Sequence, residues 1–213
     1  MQERVADRVK AGEAEDTLLL LEHDPVITRG RGGKHAHRRG SKEARAERGI
    51  ERNEIGRGGD VTYHGPGQLV GYPIVDLKPD RMDVRKYVAS LEQTMIQLAA
   101  DSGLEAERLE KFNGTWLDPH GFRPRKIGAV GVRISRWVTT HGFAFNVAPD
   151  MAHFGLIVPC GIQGKGVTSL DLELRAEDED APVPTVDEVA TRAAEHFAAL
   201  HEGELMWPEG PPD

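Results

Sequence analysis

One cysteine and a small set of basic side chains carry the reactive chemistry this sequence offers. Cys160 stands in Ile157-Val158-Pro159-Cys160-Gly161-Ile162, with Gly164 and Gly166 close behind. A lone cysteine is most often a small buried hydrophobe. Here the glycines beside the sulfur leave the room that a thiol accepting a bulky electrophile needs. A thiol whose free pKa is about 8.5 also needs a neighbouring cation or base to raise its thiolate fraction. Lys126, His64 and His141 are the candidates, and spacing does not choose among them. Lys126 opens a stretch of small and apolar residues, Ile127-Gly128-Ala129-Val130-Gly131-Val132. Partial desolvation there would lower its pKa and suit it to accept a proton, although a lysine snorkelling from a strand end has the same sequence signature. The Cys-Gly-Ser/Ala-Cys signature of papain-like Cys–His enzymes is missing.

A second feature is Arg57-Gly58-Gly59-Asp60-Val61-Thr62-Tyr63-His64-Gly65-Pro66-Gly67-Gln68, with four glycines in twelve residues. Such density lets backbone approach a ligand closely and leaves N–H groups to face an oxyanion or phosphate. It equally suits a glycine-rich hairpin, and it matches neither the P-loop nor the dinucleotide fingerprint, which set glycines ahead of a helix. His35-Ala36-His37 can present two imidazoles on one side of an extended segment, but no third ligand is assignable, so no metal site is expected.

Apolar spacing gives the elements that must position these groups. Asp83 reads as the N-cap of a helix whose stripe is Val84, Val88, Leu91, Met95 and Leu98, stopped by Gly103. Thr185-Val186-Asp187-Glu188 has capping-box spacing before Val189, Ala193, Phe197 and Leu200. A short helix is expected near residues 4–11 and a strand over 17–22, halted by His23-Asp24-Pro25. Residues 61–63 and 69–77 read as a hairpin about Gly65-Pro66-Gly67. Residues 126–134 and 138–147 read as a second hairpin about Ser135-Arg136-Trp137. Grouped strands with two long helices favour an α+β domain over a doubly wound parallel sheet.

Composition narrows the class. The chain has 213 residues, 27 Lys+Arg against 35 Asp+Glu for a net charge of −8, and 38% hydrophobic residues. That suffices for a packed core in one domain spanning 1–213, with a frayed tail over 207–213, and excludes a disordered chain. The acidic balance argues against a nucleic-acid partner, although residues 29–42 form a basic island of Arg29, Arg31, Lys34, Arg38, Arg39 and Lys42. One cysteine allows no internal disulfide. With no secretion signal and no apolar run of membrane-spanning length, a cytoplasmic protein without a membrane partner is expected.

Four long segments, in order, resemble the octanoyltransferases of lipoate biosynthesis. They are the stretch from Arg57 to Pro73, Lys126-Ile127-Gly128-Ala129-Val130-Gly131-Val132-Arg133, Thr139-Thr140-His141-Gly142-Phe143-Ala144-Phe145-Asn146-Val147, and Pro159-Cys160-Gly161-Ile162 with Gly166-Val167-Thr168-Ser169-Leu170. The resemblance covers roughly residues 18–170. It implies a fold like the catalytic domains of biotin and lipoate protein ligases, a mixed sheet with helices packed around it. It implies octanoyl (or lipoyl) transfer from acyl carrier protein to a lysine of lipoyl-accepting domains in 2-oxoacid dehydrogenases and the glycine cleavage protein. Cys160 would form the acyl-thioester, and Lys126 would assist it and receive a proton. Arg57, Gly58, Gly59, Asp60, Val61, Thr62, Tyr63 and His64, with Ala129, Val130, Gly131, Gly142, Phe143 and Ala144, would line the acyl site. Backbone N–H groups near Gly161 would hold the tetrahedral oxyanion. No ATP, metal or resident cofactor is implied, since phosphopantetheine arrives on the donor. The basic island would steer the acidic carrier. The rival reading is an ATP-dependent lipoate or biotin ligase, in which Cys160 is dispensable. The segment from Glu22 to Gly30 departs from the family pattern at Asp24, Ile27 and Arg29. Family members also commonly carry a strand ahead of the first helix, within which this sequence begins.

Overall fold

The computed structural model describes residues 1–32, 49–157 and 165–207. Helix α1 (Gln2–Ala11) ends at Gly12, whose φ of 74° is the left-handed stop that glycine adopts without a Cβ clash. Strands β1 (Thr17–Leu21), β2 (Val26–Arg29), β3 (Glu51–Glu54), β4 (Val61–His64) and β5 (Gln68–Ile74) follow. Helix α2 (Val84–Asp101) starts at Asp83, whose carboxylate accepts from the Arg85 and Lys86 N–H groups. Then come β6 (Ala106–Leu109), β7 (Phe112–Leu117), β8 (Arg125–Ser135), β9 (Val138–Asn146), a 3₁₀ turn (Met151–Leu156), β10 (Gly166–Val167), α3 (Leu170–Glu177) and α4 (Val186–Leu200).

Among the described residues these strands form two sheets. The larger runs β1-β5-β9-β8-β7-β6, with β10 paired parallel to the start of β8, and the smaller runs β3-β2-β4. Helices α2 and α4 cover one face of the large sheet. Leu91, Met95, Leu98, Val189 and Phe197 pack there on Leu69, Ile127, Phe143 and Phe145. Helix α1 covers part of the opposite face through Ala6 and Val9 on Leu19, Ile74 and Val138. The small sheet has its own core of Ile27, Ile50, Val61 and Tyr63 with Phe154 and Ile157. The mixed α+β architecture is thus the expected one, and the capping box at Thr185 is present.

Several details differ from the sequence reading. The segments on either side of Gly65-Pro66-Gly67 are not a hairpin, because β4 pairs with β2 in the small sheet while β5 pairs with β1 and β9 in the large one. Gly67, at φ 84°, offers its carbonyl to the N–H groups of Val147 and Ala148, which ties the corner to the end of β9 instead of returning the chain on β4. Val84 is exposed, and Tyr87 takes the first buried position of the α2 stripe. Strands β2, β3, β6 and β7, the 3₁₀ turn and α3 come from short segments without a clear apolar period. Of the expected tail, Trp207 is described and exposed, and the rest lies outside the described residues.

Candidate active site

The face of the large sheet turned away from α2 and α4 carries a floor of very small residues. In the β8–β9 ladder Ala129 lies opposite Ala144 and Gly131 opposite Gly142. Successive strand residues alternate faces, so Val130 and Phe143, between them, turn into the helix-covered core. A Cβ on Gly142 would collide with the Gly71 carbonyl and Pro73, so the two backbones touch there as only glycine permits. The floor therefore carries no side chain larger than a methyl group.

A bulge brings Lys126 onto that same face. Thr115 pairs with Gly128 and Trp116 with Lys126, so β8 holds one residue more than β7 at Ile127. Ile127 is fully buried in the helix-side core, and the open side of Gly128 faces Met95 of α2. With both turned to the helices, the flanking Lys126 and Ala129 point the other way. Lys126 is buried, its Nζ donates to the Asn113 carbonyl at 2.8 Å and lies 4.7 Å from the Trp116 ring centroid. Its own carbonyl accepts from Thr168 N–H at 2.9 Å, and Val167 of β10 pairs with it.

The Arg57–Asp60 loop roofs the floor. Gly58 N–H donates to the Val132 carbonyl at 2.9 Å, and a Cβ on Gly131 would sit 3.0 Å from Arg57 Cδ and 3.2 Å from the Gly58 carbonyl. The buried Arg57 guanidinium donates to the Thr28 carbonyl and hydroxyl at 3.1 and 2.9 Å and to the Gly58 carbonyl at 3.0 Å. Asp60 accepts from the Val61 N–H at 2.8 Å. Gly30 and Gly32 N–H groups donate to the Asp60 and Gly59 carbonyls, so β2 and the residues after it hold the loop in place.

At the far end of β4 the side chains divide by face. Val61 and Tyr63 enter the small-sheet core, where the Tyr63 hydroxyl meets His153 Nδ1 at 2.8 Å, while Thr62 and His64 face away. His64 Nδ1 meets Gln68 Oε1 at 2.7 Å, Gln68 Nε2 donates to Asn146 Oδ1 at 2.8 Å, and Asn146 Nδ2 donates to the Thr168 carbonyl at 2.8 Å. The His23 ring is 5.7 Å from that of His64, with His23 Nε2 at 2.7 Å from the Tyr72 hydroxyl; His141 packs edge-on to Tyr72. Burial first, then the Arg57 charge, holds His64 and His141 neutral with pKa values down at about 4. Burial also lowers His23 and raises the Tyr72 hydroxyl to about 12. The cluster therefore presents neutral rings at neutral pH.

Of the predicted lining residues, Arg57 to Asp60, Ala129, Gly131, Gly142 and Ala144 meet around one floor with Lys126 beside it. Val130 and Phe143 instead turn into the helix-side core and Val61 and Tyr63 into the small-sheet core, because strand residues alternate faces. Cys160 lies outside the described residues, as do His35, His37 and the basic island beyond Gly32. Of the island's described members, Arg29 is paired with Glu54 at 2.8 Å. His141 sits by Tyr72, with its Nδ1 3.2 Å from Gln2 Nε2. Gln68, Asn146, Thr168, Trp116 and Asn113 were not singled out from the sequence. Gln68 and Asn146 stand as polar residues in otherwise apolar strands, whereas Trp116 contributes a ring and Asn113 and Thr168 backbone groups that no side-chain pattern marks. Among the described residues no group of three or more His, Cys, Asp or Glu is arranged to hold a metal ion, and no helix is long and apolar enough to cross a membrane.

Comparison with known proteins adds family and fold. The lipoyl protein ligase A/B catalytic domain model matches residues 1–198. The chain is 43% identical to an octanoyltransferase of Acidobacterium capsulatum, over 100% of this chain and 88% of that protein. It is 46% identical to an octanoyltransferase of Solibacter usitatus, over 97% and 88%. Among solved structures, a bipartite lipoate protein ligase from Thermoplasma acidophilum superposes with a TM-score of 0.67 at 15% identity, covering 96% of this chain and 80% of that one. A lipoate-protein ligase A bound with ATP gives 0.68 at 16%, covering 91% and 75%. At such identities the two structures show a shared fold.

Proposed function

Because this chain belongs to the lipoyl protein ligase A/B catalytic-domain family, we propose that it is an octanoyltransferase that moves an octanoyl group from acyl carrier protein to a lysine of a lipoyl-accepting domain. The observation that carries this reading is the small-residue floor, Ala129/Ala144 and Gly131/Gly142, roofed by the Arg57–Asp60 loop and flanked on the same face by the buried Lys126. An eight-carbon chain laid on such a floor gains about 0.8 kcal/mol for each CH₂ it buries.

In this reading the Cys160 thiolate attacks the donor thioester carbonyl, the C–S bond to phosphopantetheine breaks, and that thiol leaves protonated. Lys126 supplies the proton and keeps Cys160 ionised. The acceptor amine then attacks the acyl-enzyme, the C–S bond to Cys160 breaks, and the proton lost from nitrogen returns to Lys126. One thioester is exchanged for another before the amide forms, so no nucleotide and no metal enters. Support for the pairing of the two residues comes from β10, since Val167, seven residues after Cys160, is the strand partner of Lys126. The acceptors are the lipoyl domains of 2-oxoacid dehydrogenases and the glycine cleavage protein, the setting is the cytoplasm, and the acidic carrier is steered by the basic residues following β2.

The test is the intact mass of the protein after mixing with octanoyl-carrier protein in the absence of ATP, beside Cys160→Ala. A hydroxylamine-labile octanoyl adduct on the unmodified chain alone is expected. Acceptor octanoylation only with ATP and free octanoate would overturn the reading in favour of an adenylate-forming ligase.

A further inference from the structure

His64 is only 8% exposed, and its direction of hydrogen bonding is dictated from far away. The Thr168 carbonyl can only accept, so the amide facing it is the Asn146 NH₂ and the Asn146 oxygen faces Gln68. Gln68 must then turn its NH₂ toward two carbonyl oxygens, those of the Asn146 side chain at 2.8 Å and the Tyr63 backbone at 3.3 Å. Its oxygen is left to face His64 Nδ1, which therefore carries the proton. All four residues are buried, and Thr168 also donates its N–H to the carbonyl of Lys126, so the row is anchored on the strand that bears the lysine. A neutral imidazole protonated on Nδ1 has a bare Nε2. Among the described residues nothing hydrogen-bonds that nitrogen.

We infer that His64 Nε2 is a preset hydrogen-bond acceptor for an N–H of the lysine amine that attacks the acyl group, with Gln68 and Asn146 as its positioning residues. This deepens, and rests on, the transferase reading above. The attacking amine brings two N–H bonds. As nitrogen bonds to the acyl carbon and the C–S bond breaks, one proton passes to Lys126 and the other stays on the product amide. His64 holds the proton that stays, which orients the nitrogen lone pair at the carbonyl and asks no proton transfer of the ring. The burial that keeps the ring neutral serves this task, since an imidazolium would donate where an acceptor is needed.

Two measurements test this. The first is the ¹⁵N–¹H correlation spectrum of histidine-labelled resting protein at pH 7, with the His64 signal identified by its loss in His64→Gln. A protonated Nδ1 and a bare Nε2 are expected; the opposite tautomer or an imidazolium overturns the inference. The second follows the two half reactions separately by rapid quench. His64→Asn keeps an amide donor toward Gln68 but has no atom at Nε2, and should lower the ratio of aminolysis to acylation rate tenfold or more. His64→Gln sets an amide oxygen near Nε2 and should restore most of that ratio. Equal losses in both half reactions, or no recovery in His64→Gln, would reduce His64 to a structural part. If the unmodified chain forms no acyl-enzyme, the transferase reading falls, whereas the tautomer is still read from the resting protein.

Discussion

Replacing His64 by Gln should flatten the acid limb of the stability profile. The folded protein holds this ring at about 4, against 6.5 for an unhindered histidine, chiefly through burial. Between those two values the unfolded chain binds a proton that the folded chain refuses, so stability rises with pH across the window. The contribution of His64 is complete above about pH 6.5 and is lost as pH falls toward 4. A gap of this size at 1.36 kcal/mol per unit is worth about 3 kcal/mol, and about 2 kcal/mol of it falls between pH 7 and 4.5. Carboxylates with depressed values, such as Glu173 and Asp83, begin to lose their contribution only at the foot of the window, and they are present in both proteins and cancel in the difference. His141, His23 and His201 are lowered too, but they titrate in both proteins and cancel in the difference. The assay is urea unfolding of both proteins at half-unit steps from pH 7 to 4.5. The stability of the unmodified protein minus that of the variant should shrink by about 2 kcal/mol on acidification, with a slope bounded by one proton. A flat difference would refute the claim that His64 is buried neutral, and a growing one would mean that it is held charged.

Other outcomes follow from the contacts around the floor. Gly131→Ala sets a methyl 3.0 Å from Arg57 Cδ, and Thr28 pins that guanidinium, so the roof must lift. Acyl-enzyme formation should fall about tenfold while the free energy of unfolding drops by only about 1 kcal/mol, the low end of the usual overpacking cost, because the strain lands on a loop. Gly142→Ala instead drives its methyl into the Gly71 backbone, which the β5–β9 ladder holds, and calorimetry should show a loss of about 1–3 kcal/mol or more. Lys126→Met keeps an unbranched stem beside Trp116 but loses the donor to Asn113, and transfer should drop by about 10²–10⁴, the usual worth of a general acid–base group.

The parts of the fold that rest on a single segment's own pattern were readable from the sequence. The α2 N-cap at Asp83, the capping box of α4 and the β8–β9 hairpin each depend on residues close in the chain, and each is present. What depends on a partner elsewhere was not. Gly65-Pro66-Gly67 announced a change of direction, but whether β5 returned on β4 or moved to a second sheet was decided by Val147 and Ala148, some eighty residues on. Helix α3 and the strands β2, β3, β6 and β7 likewise owe their form to neighbours more than to their own period.

The site shows the same division at finer grain. Strict alternation from Gly131 and Ala129 would put Ile127 on the open face and turn Lys126 into the helix-side core with Val130. That placement would strand an ammonium among Met95, Phe143 and Phe145, at a cost no local pattern reveals. The register shift against β7 removes the conflict by giving Ile127 and Gly128 to the core together, and Lys126 emerges beside Ala129. The side on which the lysine lies is therefore a property of two strands in register and not of the Lys-Ile-Gly-Ala segment. His64 is the longer-range version of this. Its chemistry is set by the lone pairs of a carbonyl at Thr168, relayed through two amides whose orientation no single segment could declare.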